Sequence, residues 1–252
     1  MKSLILTLLS LAFFTAVSAS ERNTLYELRV YHAHPGKLDS LNERFKNHTV
    51  ALFDKHGMTQ LGYFVPINNE DTNILVYWLG FEDEQARKNA WEAFKSDPDW
   101  KAAYAASTED GKLVAEIESL LLEATDYTPD IDVLPLEDDS RIFEWRTYKT
   151  NDGKLANLNA RFRDHTCALF EKHGMENLAY WTYLPGQDAS DTTLTYLIAH
   201  QNQSSRDAAF KAFSQDPDWQ SARAASEENG RLLVKKGVES LMLVPTDYSP
   251  VR

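Results

Sequence analysis

The chain has 252 residues, is 43% hydrophobic, carries a formal net charge of −12 and holds one cysteine, Cys167. A single cysteine excludes an intramolecular disulfide, so buried apolar surface must supply the stability, which a chain of this length can do. The acidic balance disfavours nucleic acid and anionic lipid as partners, and says nothing against a small neutral or cationic ligand.

The first residues read as an address. Lys2 is the sole charge before LILTLLSLAFFTAV, and the small residues SAS follow, the pattern of a secretory signal peptide. The apolar run is shorter than the ~20 residues a bilayer span needs. Val17 and Ala19 place cleavage after Ala19, so residues 1–19 form the expected signal. The mature protein is expected to be exported, periplasmic or secreted, with no membrane attachment after cleavage.

TLYELRVYHA then alternates, with Tyr26, Leu28 and Val30 on one face and Glu27, Arg29 and Tyr31 on the other. That period predicts a strand. If Tyr26, Leu28 and Val30 pack under helices, the Glu27, Arg29, Tyr31 trio points into the space between two sheets. PGK turns the chain, and Leu38, Leu41, Phe45 and Leu52 recur at helical spacing through Lys55, with Gly57 as the stop. LGYFV and NILVYWLGF read as two strands, and EQARKNAWEAFKS as a second helix. In DPDW, Asp97 is placed to cap a short helix whose first turn holds Pro98. IESLLLEA makes a last strand. Strand, helix, strand, strand, helix, short helix, strand is the split βαβ, ferredoxin-like order.

The whole unit is written twice. YELRVY (26–31) returns as FEWRTY (143–148), FDKHGM (53–58) as FEKHGM (170–175), SDPDW (96–100) as QDPDW (215–219), and TDYTP (125–129) as TDYSP (246–250). The copies span 24–129 and 141–252, joined by the acidic linker 130–140. A ferredoxin-like sheet carries helices on one face and must cover the other. Two tandem copies can lay their bare faces together, so the expected fold class is α+β, with two ferredoxin-like units forming an intramolecular dimeric α/β barrel. Further oligomerisation of this pseudo-dimer stays open.

The string ELRVYHAHPGKLDSL…FDKHGM…LGYF…NILVYWLGFE…DPDW resembles a NIPSNAP domain, and the second copy resembles it again through EWRTY…GKLANL…FEKHGM…LAYW…LTYLIAH…DPDW. The resemblance covers nearly all of the chain after residue 23 and implies the dimeric α/β-barrel superfamily, with helices outside a barrel. It implies no reaction, because the family's biochemical role is poorly defined. The wider superfamily includes cofactor-free monooxygenases, isomerases and haem-binding enzymes.

No H-E-x-x-H, G-x-S-x-G, phosphate-binding glycine loop or C-x-x-C is present, and no metal site is expected. The candidates are polar residues that both copies keep. His48 and His165, near the apolar helix stripe, would face the sheet as proton acceptors or haem ligands. Tyr31 and Tyr148 would donate hydrogen bonds, and Arg29 and Arg146 would meet an anionic group bidentately. Glu27 and Glu144 would pair with the arginines, and Tyr63 and Tyr180 would line an aromatic site that also suits an ordinary sheet core. Glu118 and Glu239 join this set on the last strands, whereas Cys167, standing where the first copy has Val50, reads as packing. The leading expectation is a protein that binds a small apolar or anionic ligand, with cofactor-free oxidative or isomerising chemistry on it. A haem protein using His48 or His165, and a non-catalytic interaction module, stand beside it; no cofactor is specified.

Overall fold

A computed structural model describes residues 23–69, 72–130 and 141–251. The expected signal and nearly all of the 130–140 linker lie outside the described residues. The strands are β1 (Leu25–Ala33), β2 (Thr59–Pro66), β3 (Ile74–Phe81), β4 (Val114–Ala124), β5 (Ile142–Thr150), β6 (Glu176–Tyr183), β7 (Thr193–His200) and β8 (Leu233–Pro245). They close into one barrel in the order β1-β3-β2-β8-β5-β7-β6-β4. Each copy contributes four neighbouring strands in ferredoxin-like order, all pairs antiparallel. The copies meet at two short seams, β2 with β8 and β4 with β6, each of three paired residues.

The sequence-based choice of strand face is reversed. Tyr26, Leu28 and Val30 point into the barrel, where they cluster with Phe64, Trp78 and Leu122 of the same copy and with Phe143, Trp181 and Leu243 of the other. Trp78 and Trp181 stack across the interior, ring centres 6.2 Å apart. Glu27, Arg29 and Tyr31 face the helices instead. The reason is where the countercharges sit: Glu27 is fully buried and needs cationic partners, and these come from an outer helix rather than from the apolar interior. Both faces of β1 are covered, so alternation alone does not say which is which.

The helices pack outside. In the first copy α1 (Leu38–Arg44), a π-helical turn (Phe45–Thr49) and α2 (Val50–Lys55) run on as one rod, followed by α3 (Glu84–Ser96) and α4 (Pro98–Ser107). The second copy repeats this as α5 (Leu155–Arg161), a π turn (Phe162–Thr166), α6 (Cys167–Lys172), α7 (Gln203–Gln215) and α8 (Pro217–Ser226). The π turn corrects the expectation for His48 and His165. A π turn holds more residues than an α turn, so Thr49 and Thr166 take the inward position and both histidines are exposed.

The duplicated hexapeptides close these rods. Gly57 takes φ +71°, the left-handed conformation that ends a helix without a Cβ penalty. His56 Nε2 lies 2.7 Å from Asp97 Oδ2, and Lys55 Nζ lies 2.8 Å from the same atom. Asp97 Oδ1 meanwhile accepts from the Asp99 amide at 2.8 Å and caps α4. Hydrogen bonds from Lys55 and His56 hold the Asp97 carboxyl well below the usual carboxylate range. Lys172, His173 and Asp216 repeat the arrangement.

The TDYTP and TDYSP tails cross between copies. Thr246 N donates to Tyr63 O (2.9 Å), Tyr63 N donates to Ser249 Oγ (3.0 Å), and Tyr248 OH reaches Asn42 Oδ1 (2.7 Å). In return, Thr125 N donates to Tyr180 O (2.9 Å), Tyr180 N donates to Thr128 Oγ1 (3.2 Å), and Tyr127 OH reaches Asn159 Oδ1 (2.8 Å). Each copy is fastened by the other's last residues.

Candidate functional site

A buried carboxylate underlies each sheet–helix layer. Glu27 accepts from Arg87 Nε (2.7 Å) and Nη2 (2.9 Å), Arg29 Nη1 (2.7 Å), Trp91 Nε1 (2.7 Å) and Ser119 Oγ (2.6 Å). Burial alone would push this carboxyl up. The Arg87 hydrogen bonds and the Arg29 charge outweigh it and bring the pKa down to about 2. In the second copy Glu144 accepts from Arg206 Nε (2.9 Å) and Nη2 (2.7 Å), Ser240 Oγ (2.5 Å) and Arg146 Nη1, with His200 Nε2 at 3.1 Å. Trp91 has become Phe210, an apolar ring that cannot donate, and His200 stands where the first copy has Phe81. The lost helix donor is replaced from the strand, so the buried charge keeps its coordination. Arg29 and Arg146 are therefore committed to protein carboxylates, and neither points into the barrel to receive a ligand.

Tyr31 connects this layer to a cavity. Arg29 Nη2 donates to Tyr31 OH at 3.3 Å, and Tyr31 forms part of the wall of a space of about 370 Å³ between the π-containing rod, α4 and the start of β4. The wall is aromatic: Phe45, Phe53, Phe94, Trp100 and Tyr104. Tyr104 is 43% exposed and marks the opening. Arg44 is the buried cation here, only 5% exposed. Its guanidinium lies 5.2 Å from the Trp100 ring and 5.4 Å from Tyr104. Arg44 Nη1 donates to Ser107 Oγ at 3.2 Å, while Nε has no partner. Thr49 Oγ1 donates to Arg44 O (3.3 Å) across the wide turn, tying the π segment to the cavity wall.

The second copy builds the same walls from Tyr148, Phe162, Phe170, Phe213 and Trp219 around Arg161, but the space is about 130 Å³. Arg223, Glu227 and Arg231 line it where the first copy has Tyr104, Thr108 and Lys112. Arg161 Nη1 lies 3.7 Å from Glu227 Oε1 and 3.3 Å from Ser226 Oγ.

The structure thus brings Tyr31 and Tyr148 to cavity walls and sets the other candidates elsewhere. Tyr63 and Tyr180 are fully buried in the sheet–helix core, their hydroxyls donating to Gln60 and Asn177, and burial raises both phenols well above their ordinary range. Glu118 is exposed with His32 Nε2 at 2.6 Å, and Glu239 is exposed. Cys167 is half-buried, and burial pushes its thiol up to about 11, in keeping with packing. Among the described residues no group of three or more His, Cys, Asp or Glu is arranged to hold a metal, and no helix is long and apolar enough to cross a membrane. Sequence reasoning missed Arg44 and Arg161, although each lies three positions after a buried leucine on the apolar stripe. It also missed Arg87, Trp91, Arg206 and His200, which reach the carboxylates from about 60 residues away.

The NIPSNAP family model matches residues 26–129 and 143–250. No curated protein sequence matches the chain. Among solved structures, a candidate monooxygenase of Lactobacillus acidophilus NCFM is similar over 88% of this chain and 94% of its own, at 10% identity and TM-score 0.56. An anthrone oxidase-like protein is similar over 90% and 92%, at 11% identity and TM-score 0.53. A NIPSNAP domain protein from Burkholderia xenovorans covers 42% of this chain with 99% of its own, at 21% identity and TM-score 0.37. At these identities the likeness is one of fold.

Proposed function

The chain belongs to the NIPSNAP family, and we propose that it binds a small, largely apolar ligand in the cavity of its first copy. The observation that carries this reading is the aromatic space of about 370 Å³ beside Tyr31, within the size range of small-molecule sites. The test is equilibrium dialysis with the neutral bicyclic probe 2-naphthamide. Ala115 lines the opening and is itself exposed, so Ala115→Trp fills the mouth without disturbing the core. The expected result is saturable binding that this variant loses at an unchanged melting temperature. Equal binding by both proteins would place the ligand elsewhere.

A second reading, cofactor-free oxidation of the bound ligand, draws on the neighbours named for monooxygenase and anthrone oxidase chemistry. It is favoured by the Tyr31 hydroxyl in the wall, backed by Arg29. Dioxygen would convert a ring methylene to a carbonyl with release of one water. Oxygen uptake with anthrone, lost in Ala115→Trp, is the expected outcome; uptake no faster than without protein would end this reading. The haem reading lacks its ligands, because His48 and His165 are exposed and line neither cavity, and the buried His200 is engaged with Glu144.

A further inference from the structure

The two cavities differ in how their buried arginines are neutralised. Arg44 and Arg161 occupy equivalent places, each against a tryptophan and each with Nη1 on a serine hydroxyl. Arg161 faces a carboxylate at 3.7 Å, Glu227, which an i,i+4 contact with Arg223 at 3.5 Å also holds. In the first copy the residue at the Glu227 position is Thr108, and the one at the Arg223 position is Tyr104. The Nε of both arginines lacks a hydrogen-bond partner, but among the described residues Arg44, unlike Arg161, has no carboxylate within ion-pair distance. Lys112 and Glu116 border the opening and offset each other in charge. A buried guanidinium that is always charged carries a desolvation cost, which an anion in the cavity would offset.

We infer that the first-copy cavity takes a small aromatic carboxylate, its charged group on Arg44 and its ring among Phe45, Phe94 and Trp100, while the second-copy cavity is closed to it by its own carboxylate, Glu227. This rests on the reading that the first-copy cavity binds a small ligand, and adds the class of that ligand and the copy that holds it. A planar carboxylate suits the guanidinium edge bidentately, and the aromatic wall suits a flat ring. The second cavity, about a third of the volume and lined by Arg223, Glu227 and Arg231, already holds both charges.

The test compares 2-naphthoate with neutral 2-naphthamide by titration, and counts bound 2-naphthoate by native mass spectrometry. Wild type is expected to bind one 2-naphthoate per chain, at least tenfold more tightly than the amide. Thr108→Glu gives the first copy the carboxylate of the second. It is expected to weaken 2-naphthoate at least tenfold and leave the amide within twofold. Arg44→Met is expected to erase the preference for the acid, and Thr108→Glu stands in its place should Arg44→Met not fold. Equal affinity for acid and amide would overturn the carboxylate assignment while leaving the cavity a ligand site. Two 2-naphthoates per chain would overturn the single-copy assignment. Binding of neither probe would overturn the underlying reading and this inference together.

Discussion

Arg29→Ala is expected to lower folding stability by about 3–5 kcal/mol, the usual cost of removing one partner from a buried charge pair. Glu27 is wholly buried, and the substitution leaves its carboxylate with Arg87, Trp91 and Ser119 but one charge short. The added replacement Glu27→Leu should recover much of the loss, because it removes the stranded charge as well. Urea denaturation measures both. A loss below about 1 kcal/mol in Arg29→Ala would show that Arg29 is not needed by Glu27 and is free to serve a ligand. The same pair sets an acid limit. The folded Glu27 pKa of about 2 lies below its ordinary 4.5. Its contribution, about 3 kcal/mol by linkage, is therefore fully present above pH 4.5 and declines as pH falls towards 2. Glu144, also held low despite its burial, by His200 and Arg206, acts in the same direction. In Arg29→Ala the folded pKa rises towards 4.5, so the decline should be smaller and end at higher pH.

Either copy expressed alone is expected to have no stable monomer. The inward face of the first copy, with Tyr26, Leu28, Val30, Phe64, Val76, Trp78 and Leu122, is buried against Phe143, Ala179, Trp181, Leu197 and Leu243 of the second. Exposing seven such side chains forfeits roughly 1.5–3 kcal/mol for each large aliphatic or aromatic one, a total as large as a domain's whole net stability of about 5–15 kcal/mol. The tail contacts of Thr246 and Ser249 with Tyr63 would go as well. Residues 23–130 should run as a homodimer or aggregate on size exclusion with light scattering. A folded monomer with a cooperative melt would show that the sheet face does not require its partner.

The duplication and the period of each segment were enough to read the barrel, because strand alternation and helical spacing are local and the repeat fixes the partner. What escaped was decided at a distance. On β1 both faces carry a tyrosine and aliphatic or paired polar groups, and the barrel covers both, so only Arg87 and Trp91, on a helix far along the chain, settle which side Glu27 takes. Counting by 3.6 from Leu41 and Phe45 brings His48 inward, but the π turn spends one more residue and seats Thr49 there. The candidate site was half legible. Tyr31 and Tyr148 do line cavities, whereas Arg44, a charged residue on an apolar stripe, was the signal that periodicity offered and that attention to histidines passed over.

The crossing tails bear on chain order. The clasp of Thr125, Tyr127 and Thr128 on the second copy has its counterpart in Thr246, Tyr248 and Ser249 on the first, and the two three-residue seams match as well. The closed barrel is a ring of two like arcs. A chain transcribed with its halves exchanged would meet the same seams and the same clasps. The seams and clasps therefore do not themselves mark a first half. The side chains around Arg44 and Arg161, and those around Glu27 and Glu144, give the ring a direction.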